Sequence, residues 1–388
     1  MNVCIAFYFS IMAAALTMAT ACAADPQNEN EPRAVQPLKD AFKGKFLIGT
    51  VLSSSALRGQ APLEASIATT HFSAFTCENN MKPDATQPVE GRFTFELGDR
   101  MVEIAQKCGA TPIGHTLVWH SQTPAWFFRG PDGQPASREL ALERLRKHIS
   151  TVVGHFKGKV KQWDVVNEVV SDAPGEYLRS TPWMRSIGED YIADAFRAAH
   201  EADPDAILEY NDYNIERGYK RAKALRLLKS LLGQKVPINA VGIQCHWRLG
   251  GVNLAEVEDS INQYAALGLK VMITEFDIGV LPARYQGADI SSRETTAPDQ
   301  RAVMDPYTAG LPDDVARKQA DLYRQAFEMF LRHKDVIGRV TIWGTHDGTS
   351  WLNNFPIRGR TDYPLLFDRQ GKPKPAFFAI QQAALADR

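Results

Sequence analysis

Beyond residue 36 the chain alternates short apolar runs with longer segments whose apolar residues recur at helical spacing. The strand-like runs fall at residues 46–52, 73–77, 112–119, 160–167, 206–210, 240–246, 270–276 and 339–343. The helix-like segments fall at 62–70, 97–108, 137–156, 189–201, 219–232, 254–267, 313–333 and 375–385. Gly109, Gly233 and Gly268 stand where three of these helices should stop. Repeated strand–helix alternation predicts a parallel sheet, and eight units predict an α/β fold closed as a single (β/α)8 TIM barrel. No break in composition marks a second folded domain, so residues 37–388 are read as one barrel. A long insertion rich in Ser, Thr, Asp, Pro and Gly, residues 281–312, follows the seventh strand. Loops after strands lie on the catalytic face of a barrel, so this one either walls a cleft or is a surface excursion.

The amino terminus follows a different pattern. Residues 5–20 are apolar and rich in small residues, and too short to span a membrane convincingly. Ala21-Cys22-Ala23 fits a small-x-small cleavage signal before Ala24. Residues 1–23 are therefore expected to be a signal peptide and 24–36 a disordered spacer, with a secreted or periplasmic destination. Ala19-Thr20-Ala21-Cys22 also resembles a bacterial lipoprotein box, which would instead anchor the protein to the outer membrane through Cys22. No transmembrane segment is expected after the signal is removed. Lys and Arg number 44 against 45 Asp and Glu, for a net charge of −1. That balance makes no electrostatic case for nucleic acid or an anionic membrane, and suits a neutral polymer. Cys77, Cys108 and Cys245 match no zinc framework; they are read as buried free thiols, with a Cys77–Cys108 bridge as the alternative.

Two strand ends carry the chemistry. Gln162-Trp163-Asp164-Val165-Val166-Asn167-Glu168 and Val271-Met272-Ile273-Thr274-Glu275-Phe276-Asp277 are apolar cores that run into carboxylates. Two glutamates, each ending its own strand, are the minimum equipment for cleaving a glycosidic bond. Alternation places Gln244 with His246 on one side of their strand, and Glu275 with Asp277 on one side of theirs. Asn167 and Glu168 are adjacent, so they cannot both point inward unless the strand bulges or has already ended. His115 and His120 lack metal-ligand spacing, and neither a metal nor a cofactor is expected.

The sequence resembles glycoside hydrolase family ten, the endo-1,4-β-xylanases. The matching stretches are Glu78-Asn79-Asn80-Met81-Lys82, Gly114-His115-Thr116-Leu117-Val118-Trp119-His120 and Trp163 to Glu168, then Tyr210-Asn211-Asp212-Tyr213-Asn214 and Gly242-Ile243-Gln244-Cys245-His246. Ile273-Thr274-Glu275-Phe276-Asp277, Trp343-Gly344, Ser350-Trp351 and Lys374-Pro375-Ala376-Phe377 complete the series in the family's order. The resemblance implies a retaining, cofactor-free, endo-acting enzyme on xylan and xylo-oligosaccharides. Glu168 would be the general acid/base and Glu275 the nucleophile. Asn167 would bond the sugar 2-hydroxyl, with His115 and Trp119 lining the same subsite. Glu78, Asn79 and Lys82 would hold the next sugar toward the non-reducing end. Gln244 would orient the acid/base or the substrate. His246, supported by Asp277, would hydrogen-bond the nucleophile, and Trp343 and Trp351 would form aromatic surface around the sugars. His120 is expected to be structural, Trp126 and Trp163 to pack in loop or core, and the protein to be a monomer. Asn80, Pro83 and Leu352-Asn353-Asn354 depart from the family's common residues, which affects distal subsites. A barrel acting on cellulose or mixed-linkage glucan, and a non-catalytic sugar-binding barrel, are the competing readings.

Overall fold

In the computed structural model, which describes residues 35–285 and 287–387, the apolar runs become eight parallel strands. They are β1 Leu47–Leu52, β2 Ala74–Cys77, β3 Thr111–Val118, β4 Gln162–Asn167, β5 Ile207–Asp212, β6 Ala240–Ile243, β7 Lys270–Gly279 and β8 Ile337–Ile342. Each pairs with the next, and β8 returns to β1 through Leu47↔Arg339 and Gly49↔Thr341, so the sheet closes. The crossover helices are α1 Pro62–His71, α2 Glu96–Cys108, α3 Arg138–His155, α4 Tyr191–Ala202, α5 Gly218–Gly233, α6 Leu254–Ala265 and α7 Asp313–Arg332, with α8 Pro375–Ala386 after the last strand. This is the (β/α)8 barrel expected from the alternation. The expected leader, residues 1–23, and most of the spacer lie outside the described residues. Among those described, no helix is long and apolar enough to cross a membrane.

Most element bounds differ from the sequence pattern only at their ends. The sixth strand differs in kind. It stops at Ile243; Cys245 adopts φ 58°, and His246–Arg248 forms a separate short strand on β7, pairing His246 with Asp277. Gly109 and Gly268 take the left-handed conformation that ends a helix, with φ 70° and 81°. Gly233 does not; the left-handed residue after α5 is Lys235, φ 54°. Cys77, Cys108 and Cys245 are all free thiols, so the alternative Cys77–Cys108 bridge is not formed. Cys108 is half-buried rather than buried, because it lies on the last turn of α2.

Between strands and helices lies the apolar layer. Trp163 is fully buried there, and Gly114 on the neighbouring strand is what admits its ring, since a Cβ at residue 114 would meet Trp163 carbons at 2.1–2.5 Å. The barrel interior is polar instead. Arg339 on β8 donates to Glu209 Oε1 at 2.8 Å and to Thr341 at 2.7 Å, and Gln162 donates to Glu209 Oε2 at 2.8 Å. Glu209 also stands in register with Asp164. Burial and the neighbouring Asp164 carboxylate push Glu209 well above the usual carboxylate range, against the pull of Arg339. Arg339→Met, which leaves these carboxyls without their cation, is expected to cost about 3–5 kcal/mol. Glu209→Gln, which keeps both acceptor and donor capacity, is expected to cost much less; chemical denaturation of the two variants makes the comparison.

Candidate active site

The strand ends bring the two glutamates into one recess. Asn167 is the last residue of β4, and Glu168 just beyond it has φ 59°. That left-handed turn costs roughly 1–2 kcal/mol for a residue with a Cβ. The pairing of β4 with β5 also shifts between Asp164 and Val166. The strand therefore both slips and ends, and adjacent side chains enter the cleft together: Asn167 Nδ2 donates to Glu168 Oε1 at 3.3 Å. Trp119 Nε1 and Gln244 Nε2 donate to the two oxygens of Glu168, each at 2.9 Å. Glu275 lies within β7, which runs on to Gly279. Its Oε1 accepts from Asn211 Nδ2 at 2.8 Å, and its Oε2 is 3.2 Å from His246 Nε2.

Asn211 links the two halves. Its Nδ2 also donates to Asn167 Oδ1 at 3.0 Å, and its Oδ1 accepts from Thr274 at 2.6 Å. Gly242 leaves room for it, because a Cβ there would sit 2.6 Å from Asn211 Oδ1. Asn211 carries no role in the sequence pattern beyond its place in a matching stretch. The available signal was its position at the end of β5, one strand over from Asn167.

The surroundings push the two carboxyls in opposite directions. Burial raises the pKa of Glu168, reinforced by Asp212 and Glu275 against the opposing His120 and Gln244. Burial would raise Glu275 too, but the hydrogen bond from His246, the fields of His115 and His246, and the Asn211 amide outweigh it and hold the carboxyl low. His246 is itself buried, yet Asp277, with Nδ1 to Oδ2 at 3.1 Å, and Glu275 push it up to about 10. His115, 2.7 Å from Asp164, is pushed down to about 4 by burial and is neutral above that pH. Burial lowers the Lys82 ammonium against the pull of Glu275, Glu78 and Glu168. The two shifts separate the carboxyls, Glu275 ionising before Glu168 as pH rises.

A recess of about 330 Å³ gathers all the expected site residues except Glu78, Asn79 and Asp277. Asn79 stands behind it, accepting from Lys82 at 2.9 Å and from Gln122 at 3.2 Å. Glu78 lines an adjoining recess with Trp343 and Trp351. Asp277 lines another with Trp351, whose Nε1 donates to Asp277 at 2.8 Å. Trp343 meets the His115 ring edge-on at 5.4 Å. Trp119 is held from behind by Trp183, which donates to its carbonyl at 3.0 Å. Trp126 is half-buried against Phe127, their ring centroids 3.8 Å apart.

The insertion after β7 walls the cleft. Ala288 and Ile290 line the recess. Between them, Asp289 accepts from Arg179 of the β4 loop at 2.7 Å and lies 3.8 Å from His120. On the far side Glu294 N donates to Pro356 O at 3.1 Å. His120, expected to be structural, lies at the cleft, 4.0 Å from Glu168 Oε2. Arg179 and Asp289 fall outside every matching stretch, and only the fold brings them to the site.

The family model described as Glycosyl hydrolase family 10 matches residues 37–383. An endo-1,4-beta-xylanase of Geobacillus stearothermophilus is 41% identical over 352 residues, covering 89% of this chain and 98% of that protein. A GH10 endoxylanase retrieved from a sugarcane soil metagenome superposes with a TM-score of 0.84 at 41% identity, over 89% of this chain and 99% of that one. An intracellular xylanase of Thermoanaerobacterium saccharolyticum, solved with xylotriose, superposes at 0.77 with 38% identity, over 90% and 99%. With its barrel, its paired glutamates and these matches, the chain belongs to glycosyl hydrolase family 10.

Proposed function

We propose that this glycoside hydrolase is an endo-acting β-1,4-xylanase that works by retaining double displacement. The observation that carries the reading is the pair Glu168 and Glu275 in one recess with opposite pKa displacements. A glycosidic oxygen needs a proton to leave, so the acid must hold one near neutral pH, and raised Glu168 suits that role. Attack on the anomeric carbon needs an ionised oxygen, and Glu275, held low, suits that one. Glu168 then acts as base toward the water that releases the sugar. A retaining pair is about 5–5.5 Å apart, leaving no room for water between carboxyl and carbon. The Asn167–Asn211 link between the two glutamates supports close spacing.

Roles for the other residues follow from their contacts. Asn167 is placed to bond a sugar 2-hydroxyl, and His115 a neighbouring hydroxyl. Gln244 and Trp119 orient Glu168, and Asp277 fixes both His246 and Trp351. Glu78, Asn79 and Lys82, on the turn after β2, suit the sugar on the non-reducing side. Trp343, Trp351 and Ile290 line the recess and narrow it with bulky side chains. That favours a pentopyranose, which lacks glucose's hydroxymethyl arm, and so xylan over glucan. For residues 1–23 we keep the export reading from the sequence pattern alone.

Glu275→Ala is expected to lower kcat at least about 10³-fold on every substrate. Glu168→Ala should cost about 10²–10⁴-fold on xylan, yet spare the glycosylation step with an aryl xyloside whose leaving group departs unprotonated. Equal losses on both substrates would contradict the acid role. The pH profile of kcat/KM should be bell-shaped, its acidic limb set by Glu275 below, and its basic limb by Glu168 above, the ordinary carboxylate value. His246→Ala removes a donor that holds Glu275 low, so the acidic limb should move to higher pH; an unmoved limb rules that role out. Mass spectrometry of exported protein should find a chain starting at Ala24, or, if Cys22 is lipidated, an acylated chain starting at Cys22.

A further inference from the structure

Glu168 is held by its main chain as well as by its carboxyl. Its N–H donates to Asn211 O at 2.9 Å, and its carbonyl accepts from Arg179 Nε at 3.2 Å. With φ 59° the residue has left the sheet ladder, so that carbonyl needs a donor from elsewhere. Fixing the peptide on each side of the Cα removes the freedom of the Cα–Cβ bond, and so sets where the carboxyl starts from.

Arg179 closes the loop that Glu168 opens. Val170 bridges Leu178 in the antiparallel sense, and Arg179 N donates to Val169 O at 2.7 Å. The guanidinium turns back across this loop, and each of its nitrogens donates. Nε reaches Glu168 O, Nη2 reaches Tyr213 Oη at 2.7 Å and Asp172 Oδ2 at 3.1 Å, and Nη1 reaches Asp289 Oδ2 at 2.7 Å. Asp172 and Tyr213 lie on the loops after β4 and β5. Of these partners, only Asp289 comes from the insertion after β7.

Asp289 is itself built in. Its Oδ1 accepts from Ser291 N at 3.0 Å and from the Ser291 hydroxyl at 2.7 Å, and its N–H donates to Tyr285 Oη at 3.2 Å. His120, Ser291 and Arg179 hold its carboxyl below the usual range against burial, so it faces Arg179 as a carboxylate. The Arg179 and Asp289 side chains are only 16% and 13% exposed, which leaves little solvent to loosen the pair. A guanidinium is a rigid plane, so an anchor on Nη1 also aims Nε. Without Asp289 the plane is free to rotate about its other contacts and draw Nε off the Glu168 carbonyl.

We propose that Arg179 and Asp289 are positioning residues for the acid/base: Asp289, supplied by the insertion, seats Arg179, and Arg179 aims the Glu168 side chain by holding its main-chain carbonyl. The inference rests on the reading of Glu168 as the acid. It makes the insertion part of the proton-transfer geometry as well as a wall of the cleft.

A misaimed acid is felt most where the leaving group most needs a proton. The experiment therefore uses aryl β-xylobiosides whose phenols span a range of acidity, with the initial burst of phenol reporting the glycosylation step, and linear xylan beside them. Glu168→Ala should steepen the dependence of burst rate on phenol pKa. Asp289→Ala and Arg179→Lys should steepen it in the same sense, with kcat on xylan down roughly tenfold or more and the burst from the most acidic phenol falling far less. Lysine keeps a charge for Asp289 but lacks the fork that reaches the carbonyl as well. Asp289→Asn, which keeps an acceptor oxygen, should fall between the native enzyme and Asp289→Ala. Adding Asp289→Ala to Arg179→Lys should cost little more than Arg179→Lys alone, because both act through one contact. Plots for these variants that run parallel to the native one, as a general loosening of the fold would give, would overturn the proposal. So would losses that multiply in the double variant. A Glu168→Ala plot no steeper than the native one would instead overturn the acid reading beneath it.

Discussion

Two carboxyls share one buried recess in this barrel, and the rest of the site answers to the cost of that arrangement. Water would ordinarily carry their charge; here burial removes it, and each ionised oxygen must be satisfied by protein groups. Glu275 receives the stronger donors, the charged His246 and the Asn211 amide. Glu168 receives neutral ones, from Trp119 and Gln244. The asymmetry of donors, not of the carboxyls themselves, separates the two protonation states. Asn211 is pivotal because one amide reaches both Asn167 and Glu275, fixing the relative position of two strand ends.

The layer below has the same character. A barrel of this size is filled by side chains, and such layers are commonly aliphatic. Here Arg339, Glu209, Gln162 and Asp164 fill it with a polar network that leads up to His115. Burial and the adjacent Asp164 carboxylate raise Glu209, and Arg339 opposes that shift, so the two adjacent acids depend on one arginine. The floor of the recess thereby rests on groups with fixed hydrogen-bond directions. Aliphatic packing would hold His115 less specifically.

Above the carboxyls, the insertion after β7 adds a roof that the barrel does not require. It is tied to the β4 loop through Asp289 and Arg179 and to the turn beyond β8 through Glu294 and Pro356. Ala288 and Ile290 thus line the recess that holds the two glutamates.

Much of this was legible in the residue order. Periodicity sets the eight strand–helix units, because each strand must be apolar where it faces the helices and each helix must present one apolar stripe. Polar residues ending apolar strands marked the end of the barrel where Glu168 and Glu275 share a recess. The short strand at His246–Arg248 was not legible, since the polar–apolar alternation from Gln244 to Arg248 runs on through Cys245 while its backbone turns left-handed. Nor were the conformation of Glu168, the bridging by Asn211, the approach of His120, or the clasp of Asp289 on Arg179. Those are contacts between segments tens to more than a hundred residues apart. They arise only when the sheet closes and sets the distances, and only then do burial and neighbouring charge decide which carboxyl keeps its proton.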